Sequence, residues 1–387
     1  MKVKYSKRLE NLPPYLFSEI DKAKRDARRE GRDLIDFGVG DPDLPTPKHI
    51  IEKLSEAAKD PRNHRYALDQ GIGKLRRAIA GWYKRRFNVT LNPENEILPL
   101  IGSKEGIAHM PLAFLNPGDY VLAPDPCYPP YRGSSILSDG QVFSMPLLVE
   151  NNFLPDFKEI PLKIRKRAKL MFLNYPNNPT AAVANKEFYL KVIDFAFKYN
   201  TIIAHDAAYS ELSYDGYRPM SFLEFKGAKD SGVEFHSLSK TYNMTGWRIG
   251  WVCGNADILS GIARVKSNID SGIFSAIQIA GIEALNGPQE HIQKMRALYQ
   301  ERRDVLCAGL ESIGWKASIP QATFYVWVPA PGGSDSRSFA KLLLKRCDIV
   351  ATPGIGFGRY GEGYIRFALT VSKERIQEAI ERIKKRL

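Results

Sequence analysis

Through the middle of the chain, short apolar runs recur, each closing on a polar or proline-rich turn: GDYVLAPDPCYPPY, AKLMFLNYPNNPT, NTIIAHDAAYS, VEFHSLSKTYNM and RIGWVCG. Runs this short and this continuously apolar read as strands covered on both faces. Between several of them lie stretches with helical spacing, such as EFYLKVIDFAFKYN, in which Leu190, Ile193 and Phe197 are expected to share a face. The alternation predicts a mostly parallel sheet covered by helices. Ligands of such sheets sit beyond the carboxyl ends of the strands. Here those ends are where the polar residues collect.

The flanking segments extend the pattern. HRYALDQGIGKLRRAIAGWYKRRF places a glycine-punctuated turn before a helix with Leu75, Ile79 and Trp82 on one face. NEILPLIGSKEGIAHM reads as a strand, a Gly-Ser-Lys turn and a helix start, whose free N–H groups would seat a phosphate. IDFGVGDPDLPTP looks at first like a dinucleotide loop. It lacks the third glycine, and Pro42, Pro45 and Pro47 prevent the helix that must follow. Beyond Asn286, Gly287 and Pro288 the composition shifts to a long charged helix, then a strand FYVWV, the glycine-rich TPGIGFGRYGEGY and a strand YIRFALTV. A closing helix carries Ile376, Ile380, Ile383 and Leu387 at helical spacing. The expected division is an N-terminal arm and small-domain segment over 1–45, a large domain over 46–285 and a small C-terminal domain over 286–387.

Composition excludes several classes. No apolar run among the 387 residues approaches the ~20 needed to span a bilayer, so no membrane partner is expected. The net charge of +13 is spread over short basic runs interleaved with acids, which speaks for a solvated face that attracts anionic substrates and against a nucleic-acid stripe. The four cysteines are scattered and the six histidines show no ligand spacing, so neither a disulfide framework nor a metal site is expected. The N-terminal MKVKYSKRLENLPPYLF has positive charge without an apolar signal core, and a cytoplasmic protein is the expectation.

The chemistry gathers around EFHSLSKTYNMTGWRIGWVCG. Lys240 stands among Ser237, Ser239 and Thr241, with Arg248 eight residues on: an amine for covalent work beside phosphate-binding hydroxyls and a cation. A single lysine in a polar turn is ordinarily just solvated. Partners on other strand ends change the balance. Asp206 could hold a pyridine nitrogen protonated, Tyr209 and Asn178 could bind a phenolic oxygen, and Tyr128 offers a ring for stacking. Taken singly, such residues in turns are caps or turn-formers.

Taken in order, GDPD, Y-x-x-x-x-G before a helix, PDPCYPPY, NYPNNPT, HDAAY, SLSKTYNMTGWRIG and YIRFALT resemble the fold type I pyridoxal-phosphate aminotransferases of the aspartate aminotransferase superfamily. The resemblance covers essentially the whole chain. It implies an α/β fold, with a large domain built on a mostly parallel, helix-covered sheet and a smaller α+β domain. It also implies pyridoxal 5′-phosphate as cofactor, amino acids and 2-oxo acids as small-molecule partners, and a homodimer with shared active sites. Carried over residue by residue, it makes Lys240 the Schiff-base lysine and general base, and pairs Asp206 with the pyridinium. Tyr209 and Asn178 go to the phenolic oxygen, and Tyr128 beneath the ring. Ser237, Arg248 and the N–H groups of Ser103 and Lys104 hold the phosphate, with Tyr66 reaching it from the partner subunit. Arg366 clamps the substrate α-carboxylate, helped by the Gly40 N–H.

Within that family HDAAYSELSYDGY, LNYPNNPTAAVA, LIGSKEGIAH and VKSNIDSG are closest to the LL-diaminopimelate aminotransferases. That resemblance implies Asp69 and the Lys104 side chain at the distal end of the substrate, with Tyr15 closing over it. Asp69 stands where that group carries the longer Glu, Ala181 where the usual motif has glycine, and Cys127 where glycine is frequent. Aspartate, alanine or aromatic aminotransferases and carbon–sulfur lyases share the fold and form the alternatives. A remoter one is a non-catalytic cofactor-binding regulator, for which no helix-turn-helix segment is left over.

Overall fold

In the computed structural model the described residues are 1–13, 16–67 and 70–387, the side chains of 16–21 excepted. After the two-residue β1 (Ile35–Asp36) come β2 (Ile97–Leu100), β3 (Tyr120–Asp125), β4 (Gln141–Pro146), β5 (Ala168–Asn174), β6 (Ile202–Asp206), β7 (Gly232–Ser237) and β8 (Gly250–Gly254). The last seven make one sheet in the order β2-β8-β7-β6-β5-β3-β4. β3, β4, β5, β6 and β7 pair in parallel, whereas β8 runs antiparallel to both of its neighbours. Both faces of the sheet are covered: Met171 and Leu173 of β5 enter one core with Ile79 and Trp251, and Leu170 and Phe172 the other with Leu100 and Phe235. Double coverage explains why these strands read as unbroken apolar runs.

β4 was not legible. It is one of the two edge strands, its one buried residue is Met145, and its sequence QVFSMP shows neither a full apolar run nor clean alternation. The helix Lys186–Tyr199 is capped by Asn185, whose side chain accepts from the Phe188 N–H at 2.9 Å. Its buried face is Phe188, Tyr189, Val192, Ile193, Phe195 and Ala196, whereas Leu190 and Phe197 are 41% and 58% exposed. The expected stripe through Leu190, Ile193 and Phe197 is therefore corrected. All three fit a helical period, but the broader apolar arc centred on Val192 and Ile193 buries more surface. In the helix Gly73–Phe87, Leu75, Ile79 and Trp82 are buried as expected. In the closing helix Lys373–Arg386, Ile376, Ile380 and Ile383 are buried while Leu387 lies beyond its end, half exposed.

A second layer contains β9 (Tyr325–Pro329), β10 (Ile349–Val350), β11 (Thr352–Pro353) and β12 (Tyr364–Ala368). β11, β12 and β9 form an antiparallel sheet, and β10 pairs in parallel with β1, Ile35 opposite Ile349. Their own core includes Phe324, Val326, Phe367 and Ile380. Among the described residues no helix is long and apolar enough to cross a membrane.

Candidate active site

A cleft of about 470 Å³ lies where the carboxyl ends of the parallel strands face β9 and β12. Asn174, Asp206 and Ser237 are the last residues of β5, β6 and β7, so the strands themselves deliver them to that edge. The reversal of β8 brings its first residue there too: Gly250 pairs with both Ser237 and Leu100, and Arg248 stands two residues before it.

Lys240 sits in the single helical turn after β7, whose start Ser237 caps by accepting from the Ser239 N–H at 3.1 Å. Its Nζ donates to the Gly40 carbonyl at 2.7 Å. Burial pushes the amine's pKa down from 10.5 to about 8, with Arg366 and Arg248 acting in the same direction and Asp41 against it. An amine so placed loses its proton much closer to neutrality than a solvated lysine does.

Asp206 is 5% exposed. Its Oδ2 accepts from the Tyr131 hydroxyl at 2.8 Å and its Oδ1 from the Ala208 N–H at 3.2 Å. Burial raises its pKa and those two bonds oppose the rise. From Asp206 a buried hydrogen-bond chain crosses the cleft. Asn174 Nδ2 donates to the Asp206 carbonyl at 2.7 Å, the Asn178 N–H donates to Asn174 Oδ1 at 2.7 Å, and Arg366 Nη1 donates to Asn178 Oδ1 at 2.8 Å. Arg366 Nη2 ends the chain on the Gly38 carbonyl at 2.9 Å. The Arg366 guanidinium lies 4.2 Å from the Tyr325 ring and 4.7 Å from the Phe357 ring, and its buried Nε has no hydrogen-bond partner among the described residues. Tyr209 shares a hydrogen bond of 3.1 Å with the Tyr325 hydroxyl, and Tyr128 meets Tyr131 edge to face at 5.7 Å.

At the other end of the cleft the helix Ser103–Phe114 begins, with Gly102 at φ +77° as its cap. The first N–H groups of a helix have no internal acceptor and favour an anion. Arg248 lies so close to Gly102 that a Cβ there would overlap the guanidinium, and its Nη1 is steadied by the Thr245 carbonyl at 2.8 Å.

The cleft therefore brings together Lys240, Asp206, Tyr209, Asn178, Tyr128, Ser237, Arg248, Ser103, Lys104, Arg366 and Gly40, all of which the sequence singled out. Tyr66 is not among its walls and is 90% exposed. Tyr15 and Asp69 lie outside the described residues. Sequence reasoning missed Tyr131, Asn174, Tyr325 and Phe357. The second tyrosine of CYPPY and the first asparagine of NYPNNP were signals for two of them, while nothing near Tyr325 or Phe357 in the sequence points to the cleft.

The profile of the family described as aminotransferase class I and II matches residues 32–383. The chain belongs to the class I and II aminotransferases. This aminotransferase is 57% identical over 380 residues to the LL-diaminopimelate aminotransferase of Syntrophobacter fumaroxidans, covering 98% of each chain. It is 54% identical to that of Moorella thermoacetica over 98% of this chain and 97% of the relative. Among solved structures, apo-BacF from Bacillus subtilis superposes with a TM-score of 0.96 at 40% identity, covering 100% of this chain and 98% of that one. The aminotransferase has the fold type I architecture and depends on pyridoxal 5′-phosphate. Its cleft fits that group: a buried carboxylate for a ring nitrogen, an amine for a carbonyl carbon, and a helix start with an arginine for a phosphate.

Proposed function

We propose that this aminotransferase exchanges an amino group between LL-diaminopimelate and 2-oxoglutarate, in lysine and diaminopimelate biosynthesis. The observation that carries the reading is the identity of 57% along 380 residues to a relative of that name. The surroundings of Lys240 and Arg366 supply the matching chemistry.

The cofactor, when bound, supplies the electron sink that makes the substrate's Cα–H acidic. Lys240 then takes the proton from Cα and returns it on the other side of the reaction, a task that suits an amine whose pKa lies at about 8. Asp206 holds a proton at the ring nitrogen. Tyr209 donates to the phenolic oxygen, and so does Asn178, whose Oδ1 is taken by Arg366 so that its amide hydrogens face away. Tyr128 supports the ring. Ser237, Arg248 and the N–H groups of Ser103 and Lys104 grip the phosphate, and Tyr66 of a second copy joins them in a homodimer. Arg366 and the Gly40 N–H orient the α-carboxylate, and a planar guanidinium does so through two parallel bonds. Asp69, the Lys104 side chain and Tyr15 receive the distal amino-carboxylate. Division at 45/46 and 285/286 is supported by the pairing of β1 with β10 and by the separate core around Phe324. A cytoplasmic setting accords with small soluble substrates.

The test is a half-reaction screen. The holoenzyme is mixed separately with LL-diaminopimelate, glutamate, aspartate, alanine and phenylalanine, and the cofactor's absorbance is followed. Rapid conversion by LL-diaminopimelate and glutamate is expected, with the others slow; no response to LL-diaminopimelate sinks the substrate assignment.

A further inference from the structure

The proline-rich DPCYPPY and the glycine-rich TPGIGFGRYGEGY meet in the fold, and the chemistry above accounts for little of either. β3 ends on Asp125, which is 1% exposed. Its Oδ1 accepts from the Tyr360 N–H at 3.0 Å and its Oδ2 from Arg132 Nη1 at 3.0 Å. Gly358, at φ +138°, packs against the same carboxylate so tightly that a Cβ would overlap Asp125 Oδ1. Two residues past Asp125, the Cys127 N–H donates to the Phe357 carbonyl at 2.8 Å. The segment Gly354–Gly361 is thus pinned to the end of β3 at Phe357 itself and at the residues just after it, Gly358 and Tyr360. Phe357 is 2% exposed, lines the cleft and lies 4.7 Å from the Arg366 guanidinium.

We propose that Asp125 is a positioning residue for the carboxylate clamp: by holding Gly358 and Tyr360 on β3 it seats Phe357 against Arg366 and keeps the guanidinium aimed into the cleft. An arginine held against an aromatic face has less conformational freedom to lose when a carboxylate binds. Amino donor and oxo acceptor use the clamp alike, so the latch acts on both. The inference rests on the assignment of Arg366 to the substrate α-carboxylate.

The test compares holoenzymes carrying Asp125→Ala, Asp125→Asn, Gly358→Ala, Phe357→Leu and, as the reference for the clamp, Arg366→Lys. The readouts are KM for glutamate and 2-oxoglutarate, the inhibition constant of the unreactive dicarboxylate maleate, kcat, and the absorbance of bound cofactor. Asp125→Ala and Gly358→Ala should raise both KM values and the maleate constant about tenfold, a change typical of one lost oriented contact, with the cofactor spectrum unchanged. Asp125→Asn keeps an acceptor for the Tyr360 N–H and should stay near wild type. Phe357→Leu leaves the latch intact and should raise the same constants several-fold, which keeps the idea open to refutation if the other variants do not fold. Unchanged KM and maleate constants in folded Asp125→Ala or in Phe357→Leu, or an effect confined to kcat or cofactor retention, would overturn the proposal. If Arg366→Lys also leaves those constants unchanged, the clamp assignment itself has failed; if Arg366→Lys raises them and the latch variants do not, only the latch has failed.

Discussion

Lys240 titrates in a way that can be read without substrate. Its pKa in the folded chain is depressed, to about 8 from 10.5, so the unfolded chain binds more protons between those values. Stability contributed through this residue is therefore at its least below pH 8 and recovers as the pH rises toward 10.5. The cofactor-free protein should gain melting temperature across that interval relative to Lys240→Met, measured by parallel thermal melts; a constant difference between the two chains would refute the burial of the amine. Lys240→Met should also abolish turnover. Tyr131 makes a second residue-level test. Its hydroxyl is one of two bonds that hold down the pKa of the buried Asp206. Tyr131→Phe should move the acid limb of the kcat/KM profile to higher pH, and an unmoved limb would show that Asp206 ionisation does not control the reaction. At Arg366, Lys keeps the charge and loses the fork, and each charge-assisted bond is worth about 1.5–3 kcal/mol. Arg366→Lys should therefore raise KM for donor and acceptor alike by tenfold or more.

Among the elements, the reversed β8 shows how far sequence could reach. Its apolar run was legible, and so was the order of the turns, because each strand end carries its polar residues locally. The direction of β8 was not, since pairing with Leu100 and Ser237 is a property of the sheet. The same limit hid the pairing of Arg366 with Asn178, 188 residues apart, and the partnership of Tyr131 with Asp206, 75 residues apart. It also misassigned Leu190 and Phe197, whose spacing suits a helix but whose exposure depends on where neighbouring elements lie. In the turn after β5, Ala181, which stands where the usual motif has glycine, has φ +58°, in the left-handed region. Ala181→Gly should stabilise the protein by up to about 1 kcal/mol, the left-handed penalty less glycine's entropy cost, seen as a small rise in melting temperature. Across β6 and β7, His205 and Glu234 pair behind the cleft. Glu234 is fully buried and accepts from Tyr83, Ser221, the Phe222 N–H and His205 at 2.7–2.9 Å. Burial alone would raise its pKa, but these bonds, those from His205 and from His236 at 3.3 Å first, hold it well below the carboxylate range. The knot's stability is thus present above pH 4.5 and is lost as the pH falls below it. Glu234→Gln, which sets an amide against several donors, should cost about 3–5 kcal/mol by chemical denaturation.

On the scale of the whole molecule, Tyr66 is the piece that stands apart. A tyrosine 90% exposed and absent from the walls of its own chain's otherwise assembled cleft suits a residue that works in a second copy. Co-expressed Tyr66→Ala and Lys240→Ala chains should then regain about a quarter of wild-type activity, because random pairing makes half the dimers mixed and each has one intact site. No recovery would place Tyr66 outside the partner's site. The excess of 56 basic over 43 acidic residues acts over a longer range, and kcat/KM for dianionic 2-oxoglutarate should fall as ionic strength rises.

The hydrogen-bond chain from Asp206 to Gly38 has a consequence that can be watched by hydrogen–deuterium exchange. The Asn178 N–H lies outside any strand or helix, where amide hydrogens normally trade with solvent in seconds, yet it is buried and given to Asn174 Oδ1 at 2.7 Å. The bond is local to the turn after β5, but its acceptor Asn174 is held by the Asp206 carbonyl and the Asn178 side chain by Arg366, so opening it strains the ties to β6 and to the strand that carries Arg366. This loop amide should thus exchange as slowly as the interior of the sheet, and Arg366→Lys should speed it from the far side of the cleft.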